Sequence, residues 1–374
     1  MTQMTADISG TPLPPAPAGV SAPRSRRRYG DTMLTLAARG AGVGIVVLLI
    51  ALIFVLTRAA WPSITQNGLG FLTGTTWRVN ELEQPLRDAS GSIIYDEDGE
   101  MSMVTIPPVF GAAPVIYGTA ISSIIALFIA VPMSLGAAMF LVRIAPRLKL
   151  AGPVAFFIEF LAAIPSLAYG VWGIFVLVPF MGRVVGPAAK ATLGHIPAFD
   201  WLFFRTINLG GNQTRYEIAM NGWNMLTGAT VLAIMILPII TAISRDVLRA
   251  VPRSQVEASL ALGATWWQSS WMMLRYARAG LFGAIILGLA RAAGETMAIT
   301  MVIGNKNQIS ASIFEPAQTM SSLLATEFAE AKPGTGQFAA LLHVALVLLV
   351  LSLAINMLAR WLVVGSGTRR GSAH

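Results

Sequence analysis

Cysteine is absent from these 374 residues, which removes disulfides, thiolate nucleophiles and cysteine-based zinc sites together. Histidine is nearly absent: His195, His343 and His374 are too scattered for a His-x-x-x-His metal pair. Charge is scarce as well. Asp, Glu, Lys and Arg make up 12% of the chain, where a soluble domain carries about a quarter. The phosphate-loop pattern Gly-x-x-x-x-Gly-Lys-Ser/Thr occurs nowhere, so ATP hydrolysis by that route is excluded for this chain.

What remains is apolar. Hydrophobic residues reach 55%, and apolar runs recur at the ~18 or more residues needed to cross a hydrocarbon core. The expected class is an all-α polytopic membrane protein. The net charge of +8 does not point to nucleic acid, because inner loops of membrane proteins are basic anyway.

Residues 1–30 are rich in Pro, Ala and Ser and have few large apolar groups, which predicts a disordered tail. Arg24, Arg26, Arg27 and Arg28 precede the first apolar run, 41–56. A signal peptide has the same order of features. This run is long for one, and it meets Arg58 and Trp61-Pro62 instead of a cleavage pattern, so 31–61 reads as a retained anchor helix. Five further spans are expected near 113–142, 152–181, 222–244, 280–304 and 338–364. Pro165, Pro179 and Pro238 fall inside them, tolerable where neighbours satisfy the freed carbonyl.

Six spans place both termini on one side. The loops on that side hold most of the Lys and Arg, which predicts cytoplasmic termini, including a tail over 365–374. The outer loop 62–109 contains "YDEDGE", without the alternating ligands of a calcium loop. Residues 183–221 bring interfacial aromatics and Asn212-Gln213-Thr214, a sequon short enough to arise by chance.

The longest inner loop, 245–279, is too long for a plain connection. It reads as two short amphipathic helices broken at Gly263, with Val256, Leu260 and Leu262 on one and Trp266, Trp267 and Trp271 on the other. Such density of exposed apolar groups suits a docking surface or a helix in the headgroup layer.

Within that loop "EASLALGA" resembles the EAA loop of ABC-importer permeases, through Glu257, Ala258, Gly263 and Ala264. Ser259 stands where the family has its third alanine, and Arg275 where it has proline. The segments "FGAAPVIYGTAISSIIALFIAVPMSLGAAMFL", "FIEFLAAIPSLAYGVWGIF", "GLARAAGETMAITMVIGN" and "MSSLLATEFAEA" extend the resemblance over 110–364, to the PstC-type permeases of the phosphate-specific transport system. The resemblance implies a type I importer fold and phosphate as cargo. It implies a loop at Glu257–Ala264 that docks on a cytoplasmic ATPase dimer (PstB type), which would hold ATP and Mg. A second permease (PstA type) and an extracytoplasmic phosphate-binding protein (PstS type) complete the implied assembly. No cofactor is expected on this chain itself.

The residues that carry chemistry are the charges inside spans. A span over 280–304 puts Arg291 at its centre, roughly 16 Å from either end. Burying such a group costs about 2.5–3.5 kcal/mol on insertion scales, so it must face protein or water. Glu295 lies one turn on, along the stripe of Ala284 and Gly288. One reading is an ion pair that fixes helix packing. The other is a pathway site in which Arg291 transiently binds an anion and Glu295 orients or releases it. Thr296 and Ser166 are candidate donors to an oxyanion, and Glu159 a second acid suited to packing or pairing with a basic loop residue. Rival functions are a permease for sulfate or molybdate, a phosphate-sensing membrane subunit that moves nothing, and a proton-driven carrier.

Overall fold

The computed structural model describes residues 29–86, 92–95, 101–209 and 212–367. The arginines of 24–28, the tail expected over 1–30 except its last two residues, most of "YDEDGE" and residues 368–374 lie outside them. The chain divides into two compact units, the first ending at Phe54 and the second starting at Val55.

The first unit is described by one exposed apolar helix, the leading part of α1 (Tyr29–Asn67). The helix does not stop at Trp61-Pro62; it runs on until Gly68, whose φ of 50° turns the chain. A positive φ is cheap for glycine and costly for other residues.

The second unit holds the remaining helices, which follow the apolar runs. They are α2 (Gly70–Thr73), α3 (Ala113–Met139), α4 (Ala151–Ala163), α5 (Ser166–Trp172), α6 (Val178–Phe180), α7 (Gly186–Leu193), α8 (Asp200–Phe203), α9 (Met225–Arg249), α10 (Arg253–Ala261), α11 (Trp266–Ala293), α12 (Met297–Thr300), α13 (Met320–Glu327) and α14 (Gly336–Gly367). Six stretches are long and apolar enough to cross a membrane: Thr32–Asn67, Ala113–Ile144, Ser166–Leu193, Met225–Arg249, Trp266–Ala293 and Gly336–Leu358. The all-α expectation holds. Strands occur only as short antiparallel pairs: β1 (Trp77–Arg78) with β4 (Val109–Phe110), β2 (Leu82–Pro85) with β3 (Met103–Ile106), and β5 (Phe204–Leu209) with β6 (Asn212–Glu217). All three pairs fall in loops on the face opposite α10.

At the centre of this unit is α9, with 61% of its apolar window buried. Ala126 and Ala130 of α3, Ala284 and Ala292 of α11, and Leu232, Ala233, Ile236 and Ile240 of α9 form one cluster. Small residues let these helices approach closely. A Cβ at Gly288 would lie 2.6 Å from Ile240 Cδ1. Ser134 of α3 donates to the Leu237 carbonyl at 3.1 Å, a polar tie between the same helices. Near the start of α14, buried His343 stacks on Phe71, with centroids 3.9 Å apart, and Ser63 Oγ lies 3.2 Å from its Nδ1. Packing thus accounts for this histidine.

Two spans depart from the sequence reading. The third starts at Ser166, not near 152. Pro165 drives Ile164 into an extended conformation (φ −66°, ψ 130°), so α4 ends and α5 begins as a separate helix. That span then continues to Leu193 through two π turns, Gly173–Leu177 and Met181–Val185. Pro179 and Pro187 each stand two residues past one of them. A proline has no N–H to give, and the wider turn shifts the ladder around it.

The fifth span is Trp266–Ala293, not 280–304. A reciprocal capping box between Thr265 and Gln268 starts it, and nothing interrupts it at Arg275, where the EAA pattern would place proline. It ends at Gly294. Residues 294–319, instead of continuing outward as helix, form a turn, the short α12 and an extended loop pinned at Gly304 (φ 92°).

This re-entrant segment leaves little room beside α3. A Cβ at Gly118 would meet the Gln318 carbonyl oxygen at 2.1 Å, and Thr119 Oγ1 accepts the Met320 N–H at 2.9 Å. Gly118→Ala is expected to lower stability by about 1–3 kcal/mol through overpacking. Thermal unfolding of the purified protein in detergent checks this; an unshifted transition would contradict the close approach.

Candidate functional site

The depth of Arg291 follows from how α11 runs antiparallel to α9. Gly280 faces Val247, and Gly288 faces Ile240 and Ile236. One turn beyond Gly288, Arg291 is therefore level with about residue 237 of α9, midway between Met225 and Arg249. At 1.5 Å per residue that is roughly 18 Å from each end. The arginine is in the last turn of its helix, not at the centre as expected, yet it remains at mid-depth because α11 itself stops there.

A helix end suits this cation. The last carbonyls of α11 carry partial negative charge, which favours a guanidinium in the final turn. Arg291 Nη2 lies 3.7 Å from Glu295 Oε2, an ion pair but too long for a hydrogen bond. The two partners are unequal. The Glu295 side chain is 5% exposed and that of Arg291 53%.

The acid is held from behind. Its Oε1 accepts the Ala298 N–H at 3.4 Å, and its carbonyl accepts the Ser321 hydroxyl of α13 at 2.6 Å. The cation is free in front. A guanidinium has five N–H donors, and among the described residues its one ionic partner is Glu295. Leu287, Gly294 and Met297 are exposed around it. A charge on such a face at mid-depth is costly against lipid, so this face belongs to a neighbouring chain or a hydrated path.

The other candidates divide. Thr296 follows Glu295 directly, half-buried, its hydroxyl 3.4 Å from the Gly294 carbonyl. Ser166 opens α5. Gly170 of that helix packs on Ala298 and Met301, and Gly173 on Val302 and Val231. Two turns before Gly173, Ser166 reaches about the level of residue 238 of α9, the depth of Arg291. The helix breaks at Pro165 and at Gly294 thus fall about 8 Å apart in depth, on either side of the level of Arg291.

Glu159 does not join them. It sits on α4, 3.0 Å from Arg245 Nη1, and Arg245 Nε bonds Asp246 Oδ1 at 3.0 Å. By the same ladder this is about 12 Å nearer the α10 face. Glu159 is paired with a basic residue, and the structure separates it from Arg291.

The loop 245–279 does break at Gly263 between two helices, but only α10 (Arg253–Ala261) is a short separate helix, and the second expected piece is the start of α11. Glu257 and Ala258 lie exposed on α10, and no residue of α10 is buried. Ser259, the departure from alanine, donates to the Val256 carbonyl at 2.7 Å, and its Oγ lies 3.1 Å from Ser269 Oγ, tying α10 to α11. Gly263 has φ 82° and open space around it, so its conformation is what requires glycine. Ala264 is half-buried, and Trp266, Trp267 and Trp271 form the first turns of α11 itself. Leu262 is 89% exposed.

Two contributors escaped the sequence reading. Ser321 was inside a quoted segment but carries no mark distinguishing it from its neighbour Ser322. Gly294 was visible three residues after Arg291, a helix-stop signal that the apolar run outweighed. Groups of His, Asp and Glu able to hold a metal are absent among the described residues.

Comparison with known proteins bears on this geometry. Residues 130–364 match the family model of the binding-protein-dependent transport system inner membrane component. The phosphate transport system permease protein PstC of Mesorhizobium japonicum is 36% identical over 349 residues, covering 92% of this chain and 94% of that protein. PstC of Haemophilus influenzae is 37% identical over 318 residues, covering 85% and 88%. PstC 2 of Mycobacterium tuberculosis is 36% identical over 350 residues, covering 92% and 95%. A chain of the inward-facing methionine ABC transporter MetNI is 17% identical with a TM-score of 0.47, over 67% of this chain and 94% of that one, too slight to bear weight.

Because the chain has no cysteine, a single one can report water access at this depth. Arg291→Cys is expected to react with a water-soluble thiol reagent, since only the hydrated thiolate attacks, while Gly288→Cys, packed on Ile240, stays protected. Equal protection of both, with reagent present on both sides of the membrane, would contradict a hydrated face at Arg291.

Proposed function

Since the chain belongs to the binding-protein-dependent transport system inner membrane components, and within them to the PstC permeases, we propose that it moves inorganic phosphate across the cytoplasmic membrane as a permease subunit of an ATP-driven importer. The observation that carries this reading is Arg291, half-exposed at mid-depth beside a buried, anchored Glu295. A guanidinium stays charged at any physiological pH and forks onto phosphate oxygens. Glu295 balances it, so the anion is held weakly enough to leave. Thr296, next in sequence, and Ser166, level with the pair, are the hydroxyls best placed to share the cargo.

The energy comes from elsewhere, because this chain has no phosphate loop. In this reading a PstB-type ATPase dimer binds ATP and Mg and receives α10, with Glu257, Ala258 and Leu262 on the docking face. A PstA-type permease covers the exposed side of Arg291. A PstS-type binding protein delivers phosphate, which the acidic outer loops would not attract by themselves. Both termini lie in the cytoplasm, as the basic inner loops favour.

A continuous helix connects the two working ends. α11 begins at the capping box beside Gly263 and carries Arg291 in its last turn, so 28 residues span about 42 Å without a break. Displacement of α10 by the ATPases tilts this rod, and Arg291 opens to one side and then the other. Alternating access of this kind requires contacts that differ between two states.

Phosphate uptake by the complete complex in proteoliposomes tests the proposal. Loss of a charged hydrogen-bonding group costs about 1.5–3 kcal/mol, so Arg291→Gln is expected to reduce uptake at least about tenfold with the complex still assembled. Excess sulfate should not compete. Undiminished uptake by Arg291→Gln, or inhibition by sulfate, would contradict the assignment.

A further inference from the structure

A second cationic site lies on the α10 face, away from Arg291. Arg143, in the π turn that ends the α3 span (Phe140–Ile144), Arg249 in the last turn of α9 and Arg253 at the start of α10 line one hollow of about 680 Å³. Its floor is apolar, with Leu248, Val251, Val256 and Met273.

The charge in this hollow is unbalanced. Four arginines elsewhere are paired with acids: Arg245 with Glu159 and Asp246, Arg205 with Glu315, Arg215 with Asp200 and Arg291 with Glu295. No carboxylate among the described residues forms a salt bridge with Arg143, Arg249 or Arg253, and Glu257 is the one acid in the lining. Arg143 is held in place instead by the Trp266 ring, 5.6 Å from its centroid. Three like charges around one cavity repel each other and draw in an anion.

We infer that this hollow binds a phosphate group, either the headgroup of an anionic phospholipid or free inorganic phosphate. Arginine forks match phosphate oxygens in pairs. The site lies where two spans end, at the depth of the headgroups, and basic pockets between helices on that side receive anionic lipids. An apolar floor under a basic rim fits the lipid, and a free anion fits the rim alone. Val256 and Glu257 belong both to the hollow and to the docking loop, so its occupant braces α10 against α3 and α9. This holds whatever the cargo at Arg291.

The test uses the purified complex, stripped of lipid by detergent exchange, with Arg249→Gln/Arg253→Gln as the variant and Arg143 left in its packing. Mass spectrometry measures retention of added phosphatidylglycerol or cardiolipin, and equilibrium dialysis measures inorganic phosphate bound. The double variant is expected to lose at least about tenfold in affinity for one of them, as removal of charge-assisted bonds requires. Arg249→Lys/Arg253→Lys, which keeps the charge but not the fork, should fall between. Phosphate displaced by cardiolipin identifies the lipid as occupant, and phosphate that is not displaced identifies the free anion; either supports the site. Equal binding of both probes by wild type and double variant, or binding of neither by wild type, would overturn it.

Discussion

A permanent cation half-way through a membrane is the constraint around which this protein is arranged. Neither lipid nor a sealed apolar core tolerates it, because an unpaired guanidinium there keeps its charge and loses its hydration. The chain meets the constraint with a helix end instead of a second buried charge alone. α11 stops at Gly294, Arg291 lies in its last turn, and Glu295 is fixed behind by Ala298 and Ser321. One side of the pair is thereby rigid and the other open. An ion pair serving only to fasten helices would gain from being closed on both sides.

The break in α11 and the break at Pro165 support each other. Backbone that leaves a helix inside a membrane must be covered by protein or line a watery cavity. Here α12 packs against α5 just beyond both breaks, with Gly170 close to Ala298 and Gly173 close to Val302. The loop after α12 returns to α3, where Gly118 admits the Gln318 carbonyl. Discontinuous helices that meet at the midplane are also how many carriers build their binding sites. On the α10 face the arrangement differs: Arg245 is neutralised by Glu159, while Arg143, Arg249 and Arg253 are left for an anion from outside the chain.

Much of this was legible in the residues, for identifiable reasons. Apolar runs marked the spans because lipid imposes one length on all of them, and the glycine of "EASLALGA" marked the break between α10 and α11 because only glycine accommodates that turn. The ends of spans three and five were not legible. Hydropathy is blind to whether an apolar residue lies in a straight helix, so 152–163 was joined to α5 and 294–304 to α11. Pro165 reads in the sequence as a tolerated proline inside one span, whereas its effect on Ile164 separates two helices. Arg291 was placed at the right depth for the wrong reason, since the depth comes from its alignment with α9. The pairing of Glu159 with Arg245 joins residues 86 positions apart, and no local pattern encodes that.

The central claim is that Arg291 binds passing anions and that its bond to Glu295 is secondary. Uptake by the doubly neutral variant Arg291→Gln/Glu295→Gln separates the two roles. If the pair only fastens helices, removing both charges relieves the unpaired acid, and transport recovers relative to the arginine variant alone. The account predicts no recovery, because the anion still has no cation to meet. Uptake restored to near the wild-type rate would contradict it.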